Sequence, residues 1–172
     1  RSELRIATAH FWYARGVAFA ATGRAAEARA TIDSIRGVAQ GLEEGEPRMT
    51  LDIAARCVEG ELALRSGDAS LAVAAFRQAA TLEDALSYME PPTWYYPVRH
   101  SLGKALLAAG RPLDAEQVYR ADLHRFPENG WSLKGLALSL AAQGKAGEAA
   151  KVERRLLKAW RLADVTIPSS RF

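Results

Sequence analysis

The sequence predicts an all-α fold of four helix–turn–helix units, eight helices in all. Three observations lead there. The chain of 172 residues is 49% apolar and 25% charged, alanine and arginine recur throughout, and β-branched runs are rare. Isolated glycines at 23, 67, 110 and 144, spaced by 44, 43 and 34 residues, each follow an apolar-periodic run. Such a glycine is a helix C-cap able to adopt positive φ. Around each cap the same order returns: a small residue seven positions earlier (Gly16, Gly60, Gly103, Ala137) and another five later (Ala28, Ala72, Ala115, Ala149). Small residues at matched positions let two helices cross closely.

Residues 3–22 predict the first helix, with Trp12, Gly16 and Phe19 as a buried stripe at i, i+4 and i+7. The next helix carries Glu27 in its first turn, where a carboxylate complements the dipole, and turns Ile32 and Ile35 inward. Gly41 to Pro47 reads as a linker. A second unit runs from Met49, with Asp68 as an N-cap and Phe76 as an aromatic wedge. Its second helix is expected to continue through Leu82, Leu86 and Tyr88 to the stop at Pro91-Pro92. The third unit has Pro97 in the first turn of its first helix, Tyr119 as wedge and Pro127 as stop. The fourth has Glu153 where the wedge belongs, so its last helix is expected to pack on one side only. Unit boundaries are placed at 3–46, 49–90, 95–128 and 129–162, with a tail at 163–172, all within one repeat domain. Gly60, Gly103 and Ala72 should have almost no exposed surface, and Val165, Ile167 and Phe172 should cover part of the last helix.

The stretch LGKALLAAGRPLDAEQVYRADLHRFPENGW, Leu102 to Trp131, has the spacing of a tetratricopeptide (TPR) unit. The chain resembles TPR proteins over nearly its whole length. That resemblance implies a right-handed α-solenoid and a non-catalytic role in protein–protein interaction. More narrowly, EPPTWYYPVRHSLG, FPENGWSLKGL and ADVTIPSSRF resemble the C-terminal part of larger bacterial TPR proteins, and no catalytic residue carries over from them. The chain begins at Arg1 without a methionine and is expected to be a fragment or a processed form.

Composition also excludes classes. The formal charge is +3, and the arginines are scattered among carboxylates rather than gathered with aromatic platforms, which disfavours nucleic acid. Cys57 is alone, so no intramolecular disulfide forms. No apolar run approaches the ~20 residues that span a bilayer. A soluble bacterial protein of cytoplasm or periplasm is expected.

In a TPR solenoid the first helices build the concave surface. Residues flanking each crossing position nominate its floor: His10, Tyr13, Cys57, Glu61, Arg65, His100, Lys104, Trp131, Lys134 and Leu138, with Val17, Leu64 and Leu107 beside them. This mixture of aromatic, aliphatic and basic groups suits an extended peptide or a partner helix. Arg65, His100, Lys104 and Lys134 face one acid, Glu61, so an acidic partner is expected unless acids of second helices neutralise those cations. The TPR domains that clamp a peptide carboxylate use asparagines and lysines, whereas Val17, Glu61, Lys104 and Leu138 stand at the equivalent places. That disfavours a clamp.

The alternative is a sensor domain holding a small ligand, or a metal through His10, Cys57, Glu61 and His100, with Lys104 opposing the cation. These donors come from separate units without ligand spacing, so no cofactor is expected. Cys57 and His100 lack the oxyanion donors that nucleophilic catalysis needs. HExxH is absent, and Gly144-Lys145 lacks the upstream spacing of a phosphate loop. The connector EPPTWYYPVR is expected to be a pinned loop, with Arg99 pairing Glu90, or else a contact patch through Trp94 and Tyr95. Phe11, Trp12 and Tyr13 on an uncovered first helix suggest self-association through a terminal repeat face.

Overall fold

The computed structural model describes residues 2–171; Phe172 lies outside the described residues. Among the described residues there are eight α-helices and no strand. They are α1 (Ser2–Ala21), α2 (Ala25–Gln40), α3 (Glu46–Arg65), α4 (Ala69–Asp84), α5 (Arg99–Ala108), α6 (Pro112–Arg125), α7 (Gly130–Ala142) and α8 (Ala146–Ala159). None of them is long and apolar enough to cross a membrane.

The turn inside each helix pair is one device used four times. Gly23, Gly67, Gly110 and Gly144 have φ of +76°, +83°, +69° and +75°. After Gly67, the Asp68 amide donates to the Ala63 carbonyl at 2.9 Å and the Gly67 amide to Leu64 at 3.2 Å. The same two bonds recur at Arg24–Phe19, Arg111–Leu106 and Lys145–Leu140 with their glycines. This is the Schellman arrangement, which satisfies the last carbonyls of the first helix. Asp68 then caps α4 by accepting from the Leu71 amide at 2.9 Å.

The chain divides into two compact units, Arg1–Val98 and Arg99–Phe172. In the first, Ile35, Leu51, Ile53, Val58 and Phe76 form the fully buried centre of α1–α4. Gly60 lies against the Phe76 ring so closely that a Cβ would stand 2.5 Å from it. Gly60, Gly103 and Ala72 are all buried, as the register requires.

Several boundaries differ from the sequence reading. α3 begins at Glu46, not Met49, because Pro47 sits in the first turn, where its missing N–H costs nothing. α4 stops at Asp84 instead of running to the proline pair. Two carboxylates hold the connector 85–98: Glu46 accepts from the Ser87 amide (2.9 Å) and buried Glu83 from the Val98 amide (3.0 Å). α5 starts at Arg99, so Pro97 precedes the helix. On α1 the buried row is Ala9, Tyr13, Gly16 and Ala20, while Trp12 and Phe19 are half-exposed. The connector draws Tyr13 inward, and Phe19 instead stacks under Arg15 and Arg24, whose guanidinium carbons stand 5.1 and 4.3 Å from its ring centre.

The second unit centres on Tyr119, fully buried between two glycines: a Cβ at either Gly103 or Gly135 would be 2.2 Å from its Cζ. Leu106, Leu133, Leu136 and Leu140 complete the core. The tail is anchored on α5 and α6 rather than on α8 alone. Ile167 is buried, Val165 is exposed and accepts from the Trp160 indole (2.8 Å), and Ser170 reaches both Tyr119 and the His100 carbonyl (2.7 and 2.9 Å).

Candidate functional site

The residues nominated for a concave floor fall into two groups, one in each compact unit. In the first unit, Tyr13 is covered by the connector: Trp94 meets it edge-on with ring centres 5.3 Å apart. The Tyr13 hydroxyl lies 3.1 Å from that of Tyr95 and 3.3 Å from that of Tyr96. Trp94 is itself buried, while Tyr95 remains largely exposed. The connector therefore occupies the face of α1 on which a ligand was expected, and Glu90 takes the Tyr88 hydroxyl. His10 is half-exposed with Nδ1 3.0 Å from the Ile6 carbonyl. Cys57 and Glu61 are buried, and Arg65 is exposed.

In the second unit, His100 is not on an open wall. Its Nε2 lies 3.2 Å from Asp122 Oδ2, and the Ser132 hydroxyl donates to that same oxygen at 2.5 Å. All three side chains are buried, and they tie α5, α6 and α7 together. Serine, histidine and aspartate do not form a nucleophilic triad here. That chemistry needs the serine hydroxyl on the imidazole, with the carboxylate behind it; here the carboxylate is central and accepts from both. Sequence reasoning missed this trio because Asp122 and Ser132 are short polar residues at helix ends, where a capping role is the ordinary expectation.

Lys104, Trp131, Lys134 and Leu138 are half-exposed. From Gly130 to Leu140, α7 reaches solvent only through Trp131, Lys134 and Leu138, an i, i+3, i+7 edge. On α5, Lys104 is half-exposed between buried Gly103 and Ala105, and Leu107 is half-exposed after buried Leu106. Trp131 is steadied edge-on by Trp160, with centres 5.7 Å apart. Lys134 is paired with Glu153 of α8 at 3.2 Å, so an acid from a second helix offsets part of the expected positive field. Glu153 thus replaces an aromatic wedge by an ion pair.

A second charged centre joins α6 to the α7–α8 turn. Glu116 accepts from Lys145 (2.9 Å), Gln143 (2.8 Å) and Arg120 (2.8 Å). The Lys145 ammonium first, then Gln143, hold its carboxyl down at about 2, against a smaller opposing effect of burial. Burial pushes the Tyr119 phenol well above its ordinary range, and the nearby Asp122 charge adds to this against the Ser170 hydrogen bond. Between α2, α3 and α4 lies an open cleft of about 430 Å³, in which Arg36 and Arg56 both converge on Glu59. Among the described residues no group of three or more His, Cys, Asp or Glu side chains is arranged to hold a metal ion.

A tetratricopeptide repeat profile matches residues 7–41 and 100–164, more than half of the chain. The chain belongs to the tetratricopeptide repeat family. Its all-α solenoid class is seen again in the crystal structure of MamA protein, at a TM-score of 0.52 and 12% identity, over 94% of this chain and 98% of that one. At that identity the likeness concerns the fold alone. No curated protein matches the chain. The stretch between the two matched segments holds the second TPR unit and the connector, where the aromatic cap over Tyr13 is built. TPR folds act in general as protein–protein interaction scaffolds rather than catalysts.

Proposed function

We propose that this TPR chain is a non-catalytic scaffold module that holds a peptide or partner helix against its first-helix surface. The contact strip of the second unit is Lys104, Leu107, Trp131, Lys134 and Leu138. The observation that carries this reading is the single solvent edge of α7, which presents an aromatic, a cation and an aliphatic side chain at helical spacing. A strip of that composition supports apolar anchoring with orientation by charge. In the first unit, the aromatic cap over Tyr13 occupies that face of α1, so the contact strip is placed in the second unit alone. The Lys134–Glu153 pair supports only a weak preference for acidic ligands.

The test is affinity capture with the intact chain, repeated with Leu107→Asp/Leu138→Asp. Both leucines are half-exposed, so helicity should be retained while the captured protein is lost. Capture that persists with the double variant would remove the strip from consideration. Lys104→Glu/Lys134→Glu separates charge from shape: retained capture with no salt dependence would leave an apolar strip without an electrostatic part.

A further inference from the structure

We propose that the outer face of α8 is a second docking surface, for an acidic helical segment of a partner protein. Lys151, Arg154, Lys158 and Arg161 are all exposed. Lys151, Arg154 and Lys158, stepped by three and four residues, lie on one side of α8 in a row of about 10 Å, and Arg161 follows in the turn just after the helix. What distinguishes this row from an ordinary solvated face is the disposition of the nearby acids. Glu148 is turned to Arg120 (3.6 Å), Glu153 to Lys134 (3.2 Å) and Glu128 to Arg155 (2.6 Å). Among the described residues no carboxylate pairs with any of the four cations. Asp164 is exposed beyond the end of the helix. Like charges set in a row repel one another, and a matching row of carboxylates relieves that repulsion while steering encounter.

Leu157 of α8 is 70% exposed, and Leu162 (87%) and Val165 (55%) are exposed in the segment that follows the helix. An occupant with carboxylates spaced by three and four, and aliphatic side chains beside them, covers both features at once. A lipid surface fits less well. The apolar stripe of α8, Ala149, Val152 and Leu156, is already buried in the unit, so it is not available to enter a bilayer. Nucleic acid fits less well too, because Trp160 is turned onto Trp131 and Gly130, and no aromatic platform stands between the cations. This surface is separate from the α5–α7 strip and does not depend on it.

The probe is a labelled helix-forming peptide bearing glutamates every third and fourth residue on one face, with leucines beside them. Its control is an isomer of the same composition with the glutamates spread around the helix. Fluorescence anisotropy with the full chain should show the patterned peptide binding more tightly than the isomer and weakening as salt rises. Arg154→Glu/Lys158→Glu should lower that affinity roughly tenfold or more, since two attractions become repulsions, with an unchanged circular dichroism spectrum. Leu138→Asp should leave it unaltered. Equal binding of the isomer, or indifference to the double reversal, would overturn the proposal. So would loss of binding in Leu138→Asp, or capture by phosphatidylserine vesicles or duplex DNA in the absence of peptide binding.

Discussion

Replacing Gly103 by alanine adds one methyl group where the structure has no room. The new Cβ would stand 2.2 Å from Tyr119 Cζ, 2.5 Å from Cε1 and 2.6 Å from the hydroxyl oxygen, whereas carbon atoms in contact prefer about 3.5–4.0 Å. The ring would have to retreat by more than an ångström. Gly135 blocks the other face, since a Cβ there would also be 2.2 Å from Cζ. The hydroxyl is tethered as well, at 2.7 Å from Ser170. Overpacking of this kind costs about 1–3 kcal/mol, and loss of the Tyr119–Ser170 bond adds roughly 0.5–1.5 kcal/mol. At about 2–4 °C per kcal/mol for a chain of this size, Tm should fall by roughly 5–15 °C.

Thermal melts followed by circular dichroism test this against two controls. Gly147→Ala makes the same chemical change within α8, where no atom lies within 4 Å of the added Cβ; it should be neutral, or stabilising by up to about 1 kcal/mol through helix propensity. Tyr119→Leu should partly rescue Gly103→Ala, giving a coupling energy of about 1 kcal/mol or more in a double-mutant cycle. An unchanged Tm for Gly103→Ala, or strictly additive effects in the cycle, would refute the close crossing.

Three other outcomes are expected. With its folded value held at about 2 and an unfolded value near 4.3, Glu116 stabilises the fold above about pH 4.3 and ceases to do so as pH falls through 2. Its exposed partners screen the gain to on the order of 2 kcal/mol; the stability gap between wild type and Glu116→Gln should therefore be present at pH 7 and close near pH 2, and a constant gap would contradict the assignment. Trp94→Ala should cost about 3 kcal/mol as a large-to-small change at a buried aromatic and should raise hydrogen exchange around Tyr13, while exchange at Tyr13 that stays unaltered would show that the connector does not cover it. Asp122→Ala leaves the Ser132 hydroxyl and the His100 ring without their shared acceptor, so a loss of roughly 2–4 kcal/mol is expected in urea unfolding, and a loss below 1 kcal/mol would mean the trio is not a tie between helices.

Much of this TPR chain was legible in its residues because the signals were local or periodic. A glycine at positive φ after an apolar run marks a helix end by backbone sterics alone, and Gly23, Gly67, Gly110 and Gly144 all take that conformation. The repeat register also marked Gly60 and Gly103 as crossing residues and Phe76 and Tyr119 as wedges, whereas the structure showed that each glycine meets its aromatic ring directly. Lys104, Trp131, Lys134 and Leu138 are half-exposed through the same register: period 3.6 assigns a face once the crossing residue is known. Tertiary structure decided what that face meets. Tyr13 is covered by aromatic residues 82 and 83 positions away in sequence, and no helical period encodes the return of an irregular connector. His100 turned inward because Asp122 and Ser132 converge on it from two other helices, and the tail locks at Ser170, 51 residues from Tyr119. Periodicity assigns side chains to faces, whereas the occupant of a face is set by long-range closure, which depends on the packed whole.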